Sequence, residues 1–108
     1  MQPPEPTIAL GVQRVFPNLS FANPVAMLQA PGDDSRWFVV EQGGVVRVFA
    51  NNSATSTADT FVDIANLVTA GGEMGLLGMA FHPAFPTNPR VYLSYTNDKT
   101  AAGRISRI

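Results

Sequence analysis

Residues 36–50, RWFVVEQGGVVRVFA, constrain the fold more than any other part of the chain. Two runs of β-branched and aromatic residues flank Gln42-Gly43-Gly44, and glycine supplies the positive φ that a tight turn requires. The stretch reads as a β-hairpin. In WFVV and VVRVF apolar residues fall on both faces, so the pattern predicts strands covered on both sides, with no wet face.

The same signature recurs along the chain. Strands are predicted at 11–16 (GVQRVF), 24–29 (PVAMLQ), 36–41, 44–50, 60–64 (TFVDI), 76–81 (LLGMAF), 90–96 (RVYLSYT) and 103–108 (GRISRI). Between them lie PGDDS, QGG, NNSATSTAD, TAGGE, HPAFPTNP and NDKTAAG, rich in residues that turns use for steric and hydrogen-bonding reasons. RVYLSYT alternates, with Val91, Leu93 and Tyr95 on one face and Tyr92, Ser94 and Thr96 on the other. Helical periodicity is weak. Only TFVDIANLVTAGGE has helix-like spacing, at Val62, Ala65 and Asn66. The fold class expected is all-β, and short, evenly spaced strands point to a sandwich or to propeller blades. Residues 1–10, with consecutive prolines, are expected as an extended arm. The last run, GRISRI, has no turn or polar cap after it. It is expected to be cut from a longer chain or paired with another molecule.

A chain of 108 residues makes at most one domain, and with 45% hydrophobic and 14% charged residues it is globular. The net charge of −1, with seven scattered Lys and Arg, supplies no basic field for nucleic acid. It also does little to keep copies apart, which favours self-association. The absence of cysteine excludes disulfides and thiolate chemistry. No apolar run approaches the roughly 20 residues of a membrane span. The opening MQPPEPTIAL lacks the basic and apolar regions of a secretory signal.

The polar candidates cluster in residues 71–96, GGEMGLLGMAFHPAFPTNPRVYLSYT. Gly71, Gly72, Gly75 and Gly78 do not form a phosphate loop, because no Lys-Ser/Thr pair follows and the segment opens a strand. They are expected to allow close backbone approach or to mark a bulge. His82, fixed ahead of Pro83 with no second histidine or nucleophile motif near it, reads as structural. Met74 and Met79 read as core filling. Trp37, Phe38, Phe49, Phe81, Tyr92 and Tyr95 are the expected aromatic core. Asp33-Asp34 reads as a solvated turn without the alternating ligands of a calcium loop.

The order RWFVVEQGGVVRVF, FVDI, GGEMGLLGMAFHPAFPTNPRVYLSYT and GRISR resembles the opening of the glucose/sorbosone dehydrogenase family. The family pattern is matched at Gly72, Glu73, Gly75, Leu76, Leu77, Gly78, Ala80, Phe81, His82, Pro83 and Phe85, and the resemblance runs from about Val15 to Arg107. It implies a six-bladed β-propeller that binds pyrroloquinoline quinone (PQQ) and calcium and oxidises the C1 hydroxyl of aldose sugars. Residues 11–108 would then be about two four-stranded blades, completed by self-association as a homotrimer or homodimer. The family's catalytic histidine lies in a later segment with no counterpart here, and the calcium ligands also come from later blades. The resemblance thus implies an N-terminal fragment that is inactive and cofactor-free when isolated. By the same resemblance the setting is periplasmic or secreted. Glu73 is the one site residue carried over, at the family's Glu or Gln position beside quinone and sugar. A carboxylate just ahead of a buried run could accept sugar hydroxyl bonds, or assist proton transfer if burial raised its pKa. The bland reading is that it bonds local backbone N–H groups or is solvated. The rival to the enzymatic reading is a non-catalytic, self-associating propeller-like module.

Overall fold

The computed structural model describes residues 16–96 and the backbone of one further strand, 104–107. Among these described residues seven strands form two antiparallel sheets. The first contains β1 (Pro24–Leu28), β2 (Arg36–Glu41), β3 (Val45–Ala50) and β4 (Asp59–Asp63). The second contains β5 (Leu76–Phe81), β6 (Val91–Tyr95) and β7 (Arg104–Arg107). In both sheets spatial order equals chain order, the up-and-down connection of a propeller blade. The architecture is all-β, as expected. The predicted strand at 11–16 lies outside the described residues except for Phe16, which stands in a bend.

The hairpin at 36–50 forms as its sequence dictates. Trp37 pairs with Phe49, Val39 with Arg47 and Glu41 with Val45, leaving a three-residue loop at Gln42–Gly44. Gly44 has φ +116°, and a Cβ there would lie 2.7 Å from the Ala65 Cα. Only glycine fits that crossing. After β4 the TFVDIANLVTAGGE segment forms no helix. Leu67 N–H donates to Ile64 O (2.8 Å) and Val68 N–H to Ala65 O (3.4 Å), giving successive turns that carry the chain to the second sheet.

Both faces of the first sheet are covered, by different elements. Phe38, Val40 and Val46 point toward the second sheet and pack with Leu76, Leu93, Tyr95, Met79 and Phe81. Phe38 is the hinge of this core, its ring edge-on to Phe61 (4.9 Å) and to Phe81 (5.0 Å). The opposite face, Val39, Phe49, Trp37 and Met27, is covered by Phe16, Leu19 and Phe21 from the segment before β1. Glu41 lies on that face with only 6% of its surface exposed. Its Oε2 accepts the Ala22 N–H (3.0 Å), and its Oε1 stands 3.6 Å from Arg47 Nε. A buried carboxylate is costly unless it is partnered in this way. The chain then turns at Asn23, whose φ is +49°, and its carbonyl accepts the Gln42 N–H (3.0 Å). Asparagine is among the few non-glycine residues that tolerate this conformation.

The two sheets repeat one irregularity. The β1–β2 register shifts between Pro24 and Ala26, and the β5–β6 register between Leu76 and Gly78. Each bulge falls at the second residue of the sheet's first strand and turns out a large apolar side chain, Val25 (44% exposed) and Leu77 (46%). β1 and β5 therefore hold equivalent places in successive blade-like sheets. No helix among the described residues is long and apolar enough to cross a membrane.

Candidate functional site

The strand directions divide the loops between two ends. Asn23, Gln42–Gly44, residues 64–75 and Thr96 share one end; residues 29–35, 51–58 and 82–90 share the other. Glu73 belongs to the first end and His82 to the second.

Glu73 sits at the exposed tip of a four-residue turn. Gly71 and Met74 exchange backbone bonds, Gly71 N–H to Met74 O (3.0 Å) and Met74 N–H to Gly71 O (2.9 Å). Gly72, the first central residue, has φ +59°, the left-handed conformation a reversing turn of this kind needs. The sequence Gly-Gly-Glu thus lifts one carboxylate clear of the sheet.

The turn is held on two sides. Gln42 Nε2 donates to Met74 O (2.7 Å) and Gly72 O (3.0 Å), and Gln42 O accepts the Leu76 N–H (2.8 Å). On the other side Thr69 N–H donates to Thr96 O (2.7 Å), and Thr96 N–H donates to Gly75 O (3.0 Å). Gly75, at φ +149°, allows this closeness, since a Cβ would lie 2.6 Å from the Gln42 carbonyl oxygen. Close backbone approach was expected of these glycines and is found at Gly75.

The His82 end is self-contained. Ala84 N–H donates to His82 Nδ1 (2.9 Å), Phe85 N–H to His82 O (2.9 Å), and His82 N–H to Arg90 O (2.9 Å). Nδ1 is the acceptor of that bond, and Asn88 Nδ2 lies 3.3 Å from Nε2. The Nδ1 acceptor serves the turn in which His82 stands. At the same end Asp33 Oδ1 accepts the Ser35 hydroxyl (2.5 Å) and N–H (2.8 Å), with Arg36 3.7 Å from Oδ2. These bonds hold the Asp33 carboxyl below its ordinary range, Ser35's hydroxyl contributing most.

Among the described residues no group of three His, Cys, Asp or Glu side chains could hold a metal ion. Glu73 offers one exposed carboxylate. By themselves these residues fit neither a calcium site nor an enclosed quinone site. Sequence reasoning missed Gln42 and Glu41. The glycines beside Gln42 signal a turn, and nothing local points to partners 30 and 32 residues away.

The glucose/sorbosone dehydrogenase family model matches residues 21–108. Hedgehog-interacting protein of Mus musculus is 32% identical over 94 residues, 83% of this chain and 13% of that protein. Quinoprotein glucose dehydrogenase B of Acinetobacter calcoaceticus is 38% identical over 74 residues, 68% of this chain and 15% of that protein. HIPL1 protein of Arabidopsis thaliana is 29% identical over 105 residues, covering 91% and 14%. A two-sheet, all-β chain with this loop and this match belongs to the glucose/sorbosone dehydrogenase family. It spans 13–15% of the length of these curated relatives.

Proposed function

We propose that the chain is part of a PQQ-dependent aldose dehydrogenase that oxidises the C1 hydroxyl of a sugar, with Glu73 on the sugar and quinone side of the ring. The base, the calcium ligands and most quinone contacts belong to segments outside these 108 residues. Alone, the chain turns over no sugar. A periplasmic or secreted setting is part of the same reading. The observation that carries it is the placement of Glu73. Its carboxylate is exposed on a braced turn that leads into β5, the first strand of its sheet, within a family whose members include a quinoprotein glucose dehydrogenase. An exposed carboxylate so placed is a hydrogen-bond acceptor for sugar hydroxyls.

A chimera tests this. The matched segment of quinoprotein glucose dehydrogenase B is replaced by the matching residues of this chain, and dye-linked glucose oxidation is followed with PQQ and calcium. The expected result is activity in the chimera and none in the isolated chain. A folded chimera without activity, or turnover by the isolated chain, contradicts the proposal.

A second reading has its own support. Hedgehog-interacting protein aligns with a larger share of this chain than the dehydrogenase does. On that reading the chain is a non-catalytic interaction module. When isolated, the chain self-associates through the far face of β5 and β6, where Ala80, Tyr92 and Ser94 lie beside the bulged Leu77.

A further inference from the structure

We propose that Gln42 is the residue that positions Glu73. The inference rests on the reading of Glu73 as a site residue, and adds that the carboxylate's place is set by a side chain of the preceding sheet.

The Gly71–Gly75 loop has no apolar anchor at its tip, since Gly71, Gly72 and Glu73 are all exposed. What fixes it is a set of carbonyls that need donors. Gln42 Nε2 supplies both of its protons, one to the carbonyl before Glu73 (Gly72 O, 3.0 Å) and one to the carbonyl after it (Met74 O, 2.7 Å). The first bond fixes the Gly72–Glu73 peptide plane and the second the Met74–Gly75 plane, while Met74 N–H to Gly71 O (2.9 Å) holds the Glu73–Met74 plane between them. Together they set the direction in which the Glu73 side chain leaves the backbone. The Gln42 carbonyl accepts the Leu76 N–H (2.8 Å), so one residue grips the loop at three successive points. Gln42 is itself fixed, because its N–H donates to Asn23 O (3.0 Å) at the entry to β1. Asn23, Gln42 and Glu73 are thus tied into one unit that couples the two sheets at the Glu73 end. Chemistry narrows the choice at position 42 to a neutral amide. Its NH₂ group offers two donors from one atom, whereas a carboxylate would face two carbonyls with acceptors only, and a thioether would offer no donor.

Native-state hydrogen exchange of the full chain tests this without any ligand. Its outcome is therefore independent of whether Glu73 meets a sugar or a quinone, which the chimera reads separately. Two variants are compared with the wild type: Gln42→Met keeps length and bulk, and Gln42→Glu keeps shape and polarity but removes the donors at neutral pH. Both should speed exchange of the Gly71 and Met74 amides about tenfold, as expected for two lost net hydrogen bonds, with β2 and β3 unchanged. On acidification, protonated Gln42→Glu regains one donor and recovers part of the protection; Gln42→Met at the same pH recovers none. Wild-type protection in Gln42→Met would overturn the proposal by showing that bulk suffices. Equal loss throughout β2, β3 and the loop would also overturn it, because Gln42 would then support the whole fold and not this loop.

Discussion

Glu73 and His82 stand at opposite ends of β5. The six-residue strand Leu76–Phe81 between them spans roughly 17 Å, while proton transfer between groups on one substrate needs hydrogen-bond reach. The two polar residues that frame the family motif therefore cannot share a reaction, and His82 belongs to the turn that starts the return to β6. His82→Ala should cost about 1 kcal/mol of stability through loss of the Nδ1 acceptor. His82→Asn, whose side-chain oxygen can accept the same N–H two residues on, should recover most of it. Urea unfolding of the three proteins checks this; equal losses in both variants would contradict it.

The glycines divide by what surrounds them. At Gly44 and Gly75 a side chain would meet backbone and the φ is positive, whereas nothing lies within 4 Å of a Cβ at Gly43. Gly44→Ala and Gly75→Ala should each cost roughly 1–3 kcal/mol, and Gly43→Ala less than about 1 kcal/mol. Thermal unfolding should rank them so. A Gly75→Ala protein as stable as Gly43→Ala would show that the sheets do not meet at Gln42.

Asp33 supplies an acid-sensitive element. Its carboxyl is lowered by the Ser35 hydroxyl first, then the Ser35 N–H, with a smaller contribution from Arg36. A lowered folded-state value makes the ionised form stabilising: the contribution is fully present above the ordinary Asp value of about 3.9 and fades as pH falls through the lowered one. Wild-type protein should lose more melting temperature between about pH 5 and pH 2.5 than Asp33→Asn does. Identical losses would remove Asp33 from the account.

Self-association should run through the Leu77 flank. The Val39–Phe49 face is closed by Phe16, Leu19 and Phe21, while Leu77 stands 46% exposed beside the other flank. Light scattering should find a homo-oligomer for the wild type and a smaller species for Leu77→Glu, since a charge in an apolar contact costs association. A cooperatively folding, monodisperse wild-type monomer would contradict this.

The sequence carried the strands and not their neighbours. All six described strands before β7 fall within a residue or so of their expected positions, because β-branched runs and turn residues act locally. The Val91, Leu93 and Tyr95 alternation was legible, and all three are buried. The element that covers each face was not. Phe16, Leu19 and Phe21 sit among turn residues with no period to show that they close a sheet face. The bulges at Val25 and Leu77 were equally hidden, because a bulge leaves the apolar run unbroken. Glu73 was singled out through a motif; the Gln42 contacts that brace its turn depend on how two sheets meet.

The central claim is that the Glu73 end of β5, and not the His82 end, faces the chemistry of the family. Glu73→Ala and His82→Ala placed side by side in the glucose dehydrogenase chimera test it most directly, with kcat/KM for glucose and unfolding midpoints measured on both. Loss of a hydrogen bond between a carboxylate and substrate costs about 1.5–3 kcal/mol, roughly 10- to 100-fold in rate, and that is the result expected for Glu73→Ala at unchanged stability. His82→Ala should lower the midpoint and leave kcat/KM of the folded protein within about threefold. The opposite pattern, an intact Glu73→Ala enzyme and a stable but inactive His82→Ala one, would contradict the account.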